Sequence, residues 1–360
     1  MAKRGLFVGN IRPILRGISQ KSGWVLCIGA GTSKPMFPDW NLLVERLIAK
    51  DIGEKRANEL SRKLLMQYSP DALIQAACDR LGFNDEKFFE ILSNELYQYF
   101  RSQITTDQWN YFTKMLSARL GEYTRSQWIS YLALIRNNFP SLSALKIAEI
   151  ISETIDTDIA PVAIMSFNAE SVMASLINAF LRINKLTLKK SKEGFGNRLD
   201  LITHSISNRK SKHIPYYFIH GLLPVPNCVK KGRKIDSPDK LVFSESEYLL
   251  MANTSFSWQS SVFLDLTSTR SVVFIGVSLS DPNMRRWLSW THSNRMKELG
   301  TRFSYSGLST NHYWISKKPD TTSERIWIES SVQHLGVRMV WLNDWNQLAE
   351  ALNSMLGLLP

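Results

Sequence analysis

Cysteine is scarce in this sequence, with three residues in 360: Cys27, Cys78 and Cys228. They are odd in number and far apart, and none forms a CxxC pair. Neither a disulfide framework nor a four-cysteine zinc site can be built from them. Long apolar runs are missing too, since no stretch approaches the ~18 residues a membrane helix needs. The basic start is interrupted by Gly9, Asn10, Arg12 and Pro13, which does not suit a signal peptide. No internal repeat or low-complexity segment is visible. The expectation is a soluble, cytoplasmic protein of a reducing compartment, with no membrane partner. At 44% hydrophobic residues the chain can bury a real core, which excludes a disordered chain.

What is present in excess is positive charge, a net +12. Residues 181–240 carry 14 Lys/Arg against 4 Asp/Glu, a net +10 concentrated in blocks at 189–192, 208–212 and 229–234. Such a stretch can bind a polyanion, nucleic acid included. Few aromatic residues lie in these blocks, and no helix-turn-helix or finger pattern surrounds them. Solvated loops are the simpler reading.

Apolar runs bounded by glycine turns organise the rest. The run at 24–28 meets a turn, GAGTS (29–33), and a helical pattern starts near Trp40. Strand, glycine turn and helix open a doubly wound sheet. Residues 50–155 carry almost no strand signal. The Ser69-Pro70-Asp71 start, the apolar spacing after Asn84-Asp85-Glu86 and the same signature at 141–152 predict roughly five helices. Strands are expected again at 161–166, 216–219, 271–275 and 337–341, and a hairpin turning at 229–234 would return along 240–243. A helix follows Asn168, another contains Tyr248, and a last one covers 345–356. The fold class expected is therefore α/β: a Rossmann-like doubly wound parallel sheet with a helical insertion. Residues 1–50 and 156–360 would form the α/β domain, and 51–155 the insertion.

Ligands of such sheets bind outside the carboxyl ends of the strands. Four motifs stand there. GAGTS allows a tight turn and close backbone approach to an anion. It is neither GxGxxG nor a P-loop, since Lys34 follows Ser33 and no Gly-Lys-Ser/Thr is present. Asn168 ends the 161–166 strand, where it is either an ordinary helix N-cap or a polar site residue. His220 precedes Gly221 at the next strand end, as a base or as a buried histidine bonded to a carbonyl. GVSLSDPN (276–283) offers the Ser278 hydroxyl and the Asp281 carboxylate, which could hold a ribose diol. It also reads as a capped helix start with Pro282 at its first position.

Taken in order, GAGTS with Pro38-Asp39-Trp40, Asn168 in SFNAE, His220-Gly221 after YYFI, LVFSESEY and GVSLSDPNMRRWL resemble the sirtuin-like superfamily. This is the silent-information-regulator-like fold that binds NAD. The resemblance is to bacterial antiphage-defence NAD hydrolases rather than to protein deacylases. It implies that Gly29, Ala30, Gly31 and Ser33 hold the NAD diphosphate and that Asp39 lies in a loop closing over the nicotinamide end. Asn168 would orient the ribose and the attacking water, and His220 would be the general base. Gly276 and Ser278 would meet the adenosine-side ribose and phosphate, with Asp281 and Asn283 shaping that loop. Glu170 stands where deacylases have Asp, and the deacylase zinc module cannot be built, so no zinc and no cofactor are expected. NAD would be substrate, cleaved to nicotinamide and ADP-ribose. The resemblance further implies a homo-oligomer and a separately encoded partner such as a HerA-type ATPase. The alternatives are a non-catalytic module binding NAD or ADP-ribose, and a nucleic-acid-associated component of a defence complex.

Overall fold

A computed structural model describes residues 6–7, 14–19, 22–82, 85–116, 118, 120–184, 198–205, 213–226, 241–253, 257–303 and 309–358. Eight strands are present among them: β1 Leu6–Phe7, β2 Trp24–Ile28, β3 Ala163–Ser166, β4 Leu199–Ile202, β5 Ile214–Phe218, β6 Ser271–Ile275, β7 His312–Lys317 and β8 Val337–Leu342. They form one sheet in the order β1-β8-β7-β6-β2-β3-β5-β4. Every pairing is parallel. The fold is thus an α/β, Rossmann-like one. The chain moves outward from β2 to β3 and on to the edge strand β4, steps back to β5 between β3 and β4, then returns to the other side of β2 and continues through β6, β7 and β8. The order reverses between β2 and β6, which is where an open sheet offers a crevice.

Strand periodicity explains how both faces are covered. Successive side chains of a strand point to opposite faces. Trp24, Leu26 and Ile28 of β2 join one apolar cluster with Val273 and Ile275 of β6. Val25 and Cys27, with Val272 and Phe274, join a second cluster on the opposite face. A sheet buried on both faces needs near-continuous apolar strands, and β2 and β6 are buried at every position.

The residues between β2 and β3 are helical, as expected, with one helix more than the sequence reading counted. After the helix Trp40–Ile52 come Glu54–Leu65, Pro70–Leu81, Asp85–Ser102, Thr106–Leu116, Arg125–Asn138 and Ser143–Thr154. Ser69 and Pro70 begin their helix where the sequence placed it, although the Ser69 side chain makes no capping bond. The apolar stripe of Phe88, Leu92, Leu96, Tyr97 and Phe100 is buried. It belongs to the same cluster as Trp24 and Ile28 of the sheet, so these helices share a core with the α/β layer. Tyr131 and Ser175 are hydrogen-bonded across the join.

Three sequence expectations change. The first β3 residue is Ala163, two later than expected. The expected return strand at 240–243 is not one: residues 241–243 have no strand pairing, although the Val242 amide donates to the His220 carbonyl at 3.0 Å. Strands β1, β4 and β7 were not foreseen. The supposed hairpin turn at 229–234 and the basic blocks at 189–192 and 208–212 lie outside the described residues. No helix among the described residues is long and apolar enough to cross a membrane.

Candidate active site

The crevice between β2 and β6 is closed by glycine against glycine. The Gly29 amide donates to the Ile275 carbonyl at 3.1 Å, and the Gly31 amide to the Gly276 carbonyl at 2.9 Å. A Cβ on Gly31 would stand 2.9 Å from the Gly276 Cα. Gly276 itself has φ +67, with Thr32 N at 2.5 Å from the position its Cβ would take, so no other residue fits there without displacement. The reading of GAGTS is thereby corrected in one respect. The amides of Gly29 and Gly31 are engaged by the β6 loop and are not free to cradle a diphosphate. These glycines instead bring the two strand-end loops into contact, and Ala30 and Ser33 are the residues of the motif that face the cleft.

That cleft lies at the ends of β2 and β3 and opens to solvent. Its walls include Phe37, Asp39, Trp40, Phe167, Asn168 and Phe243, and the inserted helix Asp85–Ser102 contributes Leu96. Asp39 caps the helix that begins at Trp40, accepting from the Leu42 amide at 2.9 Å, and pairs with Lys34. Partial burial raises the Asp39 carboxyl, but the Lys34 ammonium and the Leu42 amide outweigh it and hold it below its ordinary value.

Asn168 is buried at the cleft wall with a fixed orientation. Its Nδ2 donates to Glu170 Oε1 at 2.9 Å and to Ser33 Oγ at 3.1 Å. Ser33 Oγ donates to the same Glu170 oxygen at 2.6 Å, and the Val172 amide donates to Oε2 at 2.6 Å. A carboxylate accepts only, so the amide nitrogen must face it and Asn168 Oδ1 must point away. Oδ1 is buried and has no hydrogen-bond partner. A buried acceptor without a partner costs about 1–3 kcal/mol, and its natural use is to receive a donor from a ligand. Burial raises the Glu170 carboxyl above its ordinary value, while its bonds from Ser33, Val172 and Asn168 pull it back part of the way. Glu170 therefore orients Asn168 and starts the helix Val172–Asn184. The sequence singled it out only as a departure from the deacylase pattern.

His220 sits one layer behind. Its ring stands edge-on to Phe167 at 4.9 Å and to Trp40 at 6.2 Å, two residues of the cleft wall. Nε2 is 3.1 Å from the Tyr248 hydroxyl, and Nδ1 is buried without a partner. Burial lowers the imidazole from its ordinary value, with Asp281 and Asp71 acting in the opposite sense. The ring is thus neutral at neutral pH. Tyr248 was placed on a helix by the sequence but not in the site. Only its position one turn inside the helix Glu245–Asn253, facing a strand end, gives it this contact.

The β6 loop holds the remaining expected residues. Asp281 does not present its carboxylate outward for a ribose. Its Oδ2 accepts from Tyr248 at 3.0 Å, and its Oδ1 accepts from the Met284 amide at 2.9 Å. Asn283 is buried and accepts from Arg286. Ser278 is exposed and bonded to Ser280 at 2.7 Å. Leu279, between them, has φ 52, a conformation uncommon for a side chain of this kind. The structure thus gathers Ala30, Ser33, Asp39 and Asn168 around the cleft. It ties His220 and Asp281 together behind the cleft through Tyr248, and leaves Ser278 and Asn283 outside it. No group of three or more His, Cys, Asp or Glu that could hold a metal ion occurs among the described residues.

No curated protein matches the chain. The model of one family, the SIR2-like domain, matches residues 175–335, a span running from within the helix Val172–Asn184 through His220, Tyr248 and Asp281 to just before β8. That match, over less than half of the chain, supports a similarity to the sirtuin-like superfamily.

Proposed function

We propose that the protein is an NAD glycohydrolase that cleaves NAD to nicotinamide and ADP-ribose. The observation that carries this reading is the pinned Asn168 carboxamide, whose Oδ1 is buried and partnerless at the wall of the cleft. The cleft lies at the carboxyl ends of β2 and β3, where ligands of open α/β sheets bind. Its aromatic walls exclude bulk water.

The chemistry asks little of the protein. The nicotinamide of NAD is a cationic leaving group, so its departure needs no acid. As the C–N bond breaks, its electron pair goes to the nicotinamide ring, which becomes neutral. A water attacks the ribose carbon, and its proton goes to His220 Nδ1. Asn168 Oδ1 accepts from the ribose hydroxyl or from that water and holds the reacting atoms in line. Nδ1 is buried in this conformation, so the wall around it opens when substrate enters.

NAD depletion in antiphage defence, activation by self-assembly and a separately encoded partner such as a HerA-type ATPase belong to the same proposal and rest on the family resemblance. The test is nicotinamide release. Asn168→Ala abolishes it and leaves the fold intact. NAD binding without any turnover would favour a regulatory module instead.

A further inference from the structure

The three side chains behind the cleft form a directional chain. Tyr248 has one hydroxyl proton and two neighbours, Asp281 Oδ2 at 3.0 Å and His220 Nε2 at 3.1 Å. Asp281 accepts from the Met284 amide through its other oxygen, and an ionised carboxylate can only accept. The Tyr248 proton is therefore committed to Asp281. The Tyr248 oxygen is left as an acceptor, so the contact to His220 closes only if Nε2 carries the ring proton. A neutral imidazole protonated at Nε2 has its lone pair at Nδ1, the atom that is buried and partnerless.

We propose that Tyr248 and Asp281 are positioning residues that fix His220 as the Nε2–H tautomer and thereby make Nδ1 the basic atom of the site. This rests on the NAD-hydrolase reading and adds two residues to it. When Nδ1 takes the proton of the attacking water, the imidazolium is stabilised through Nε2–H, the Tyr248 hydroxyl and the Asp281 carboxylate, with no further proton moved. The charged groups acting on the ring are Asp281 and Asp71, both of a sign that favours the imidazolium.

The Met284 amide makes the chain testable with an isosteric change. In Asp281→Asn the side-chain oxygen stays with the Met284 N–H, because the helix start needs an acceptor there. The amide NH₂ then faces Tyr248 and donates to its oxygen. The Tyr248 proton turns to His220 Nε2, and the ring proton moves to Nδ1, which removes the base. Tyr248→Phe removes the relay outright and frees both tautomers.

The experiment is ¹⁵N NMR of the His220 ring in the full-length protein without NAD, in parallel with nicotinamide release. The wild type shows a protonated Nε2 and an unprotonated Nδ1. Asp281→Asn shows the reverse and loses at least about 100-fold in nicotinamide release, the usual scale of a general base. Tyr248→Phe shows a mixed signal and intermediate loss. An unchanged tautomer in Asp281→Asn overturns the proposal whatever the activity, and a switched tautomer with wild-type turnover overturns the positioning role. If the wild type releases no nicotinamide either alone or with the product of the neighbouring gene, the hydrolase reading fails, while a tautomer switch still supports the relay.

Discussion

Asn168 Nδ2 lies 2.9 Å from Glu170 Oε1, and this bond fixes which end of the Asn168 carboxamide is turned away from Glu170. Glu170 is itself held by Ser33 and by the Val172 amide. Asn168 is thus aimed from the last residue of GAGTS and from the start of a helix at once.

Glu170→Gln tests that aim. Val172 keeps the glutamine oxygen as its acceptor, so the NH₂ turns toward Asn168 and Ser33 and reverses the preference of the Asn168 amide. A charge-assisted bond is worth about 1.5–3 kcal/mol, so nicotinamide release should fall by about 10- to 100-fold with little change in NAD binding. A fall in binding without a fall in turnover would mean that Glu170 meets the substrate directly.

The contact between the two glycine loops predicts a stability effect. Gly31→Ala places a methyl 2.9 Å from the Gly276 Cα, with backbone on the other side. Such overpacking costs about 1–3 kcal/mol, readable as a lower urea midpoint. Gly17→Ala is the control, since nothing lies within 4 Å of its Cβ and it sits inside the helix Ile14–Ser19. It should be neutral or stabilising by up to about 1 kcal/mol.

Acid sensitivity should trace in part to His312. Burial is the main cause that lowers its imidazole from 6.5 to about 3, with Arg295 and His292 adding to it. Its Nδ1 accepts from the Val272 amide at 3.2 Å, which only the neutral ring can do. A depressed folded-state value means stability that is fully present above pH 6.5 and is lost as pH falls from there toward about 3. The stability difference between wild type and His312→Asn should therefore shrink from pH 7 to pH 4 in urea unfolding. A constant difference would remove His312 as a cause.

The rate of NAD cleavage should follow the same logic at His220. Burial lowers this ring, so turnover should stay flat from neutral pH down through 6.5 and fall only below it. A midpoint above the ordinary histidine value would show that Asp281 and Asp71 outweigh burial once substrate is bound.

Chelation supplies a further check. The leaving group is already cationic, so EDTA should leave nicotinamide release unchanged. Loss of activity restored by a divalent ion would point to different chemistry.

Much of this architecture was legible in the sequence because buried parallel strands read as continuous apolar runs. The 24–28 and 271–275 runs match β2 and β6 residue for residue. Strand β7 was hidden because His312, Ser316 and Lys317 break its apolar run, and β4 because Asp200 alternates with leucines beside a basic stretch. Asn168 and His220 were visible as polar residues at strand ends. Their partners were not. Glu170 acts by reaching back two residues and across to Ser33, and Tyr248 by crossing from one helix to a strand end 28 residues away. Side-chain pairing of that kind leaves no periodicity in the chain. The glycines of GAGTS illustrate the converse. Their small size was read as room for phosphate, whereas here it makes room for Gly276.

The most direct measurement is product formation from NAD by the purified full-length protein, followed by chromatography. It should be made at several protein concentrations, alone and with the product of the neighbouring gene, beside the Asn168→Ala variant. The account predicts equimolar nicotinamide and ADP-ribose from the wild type and none from the variant. NAD recovered intact under every condition, or cleaved equally fast by Asn168→Ala, would contradict it.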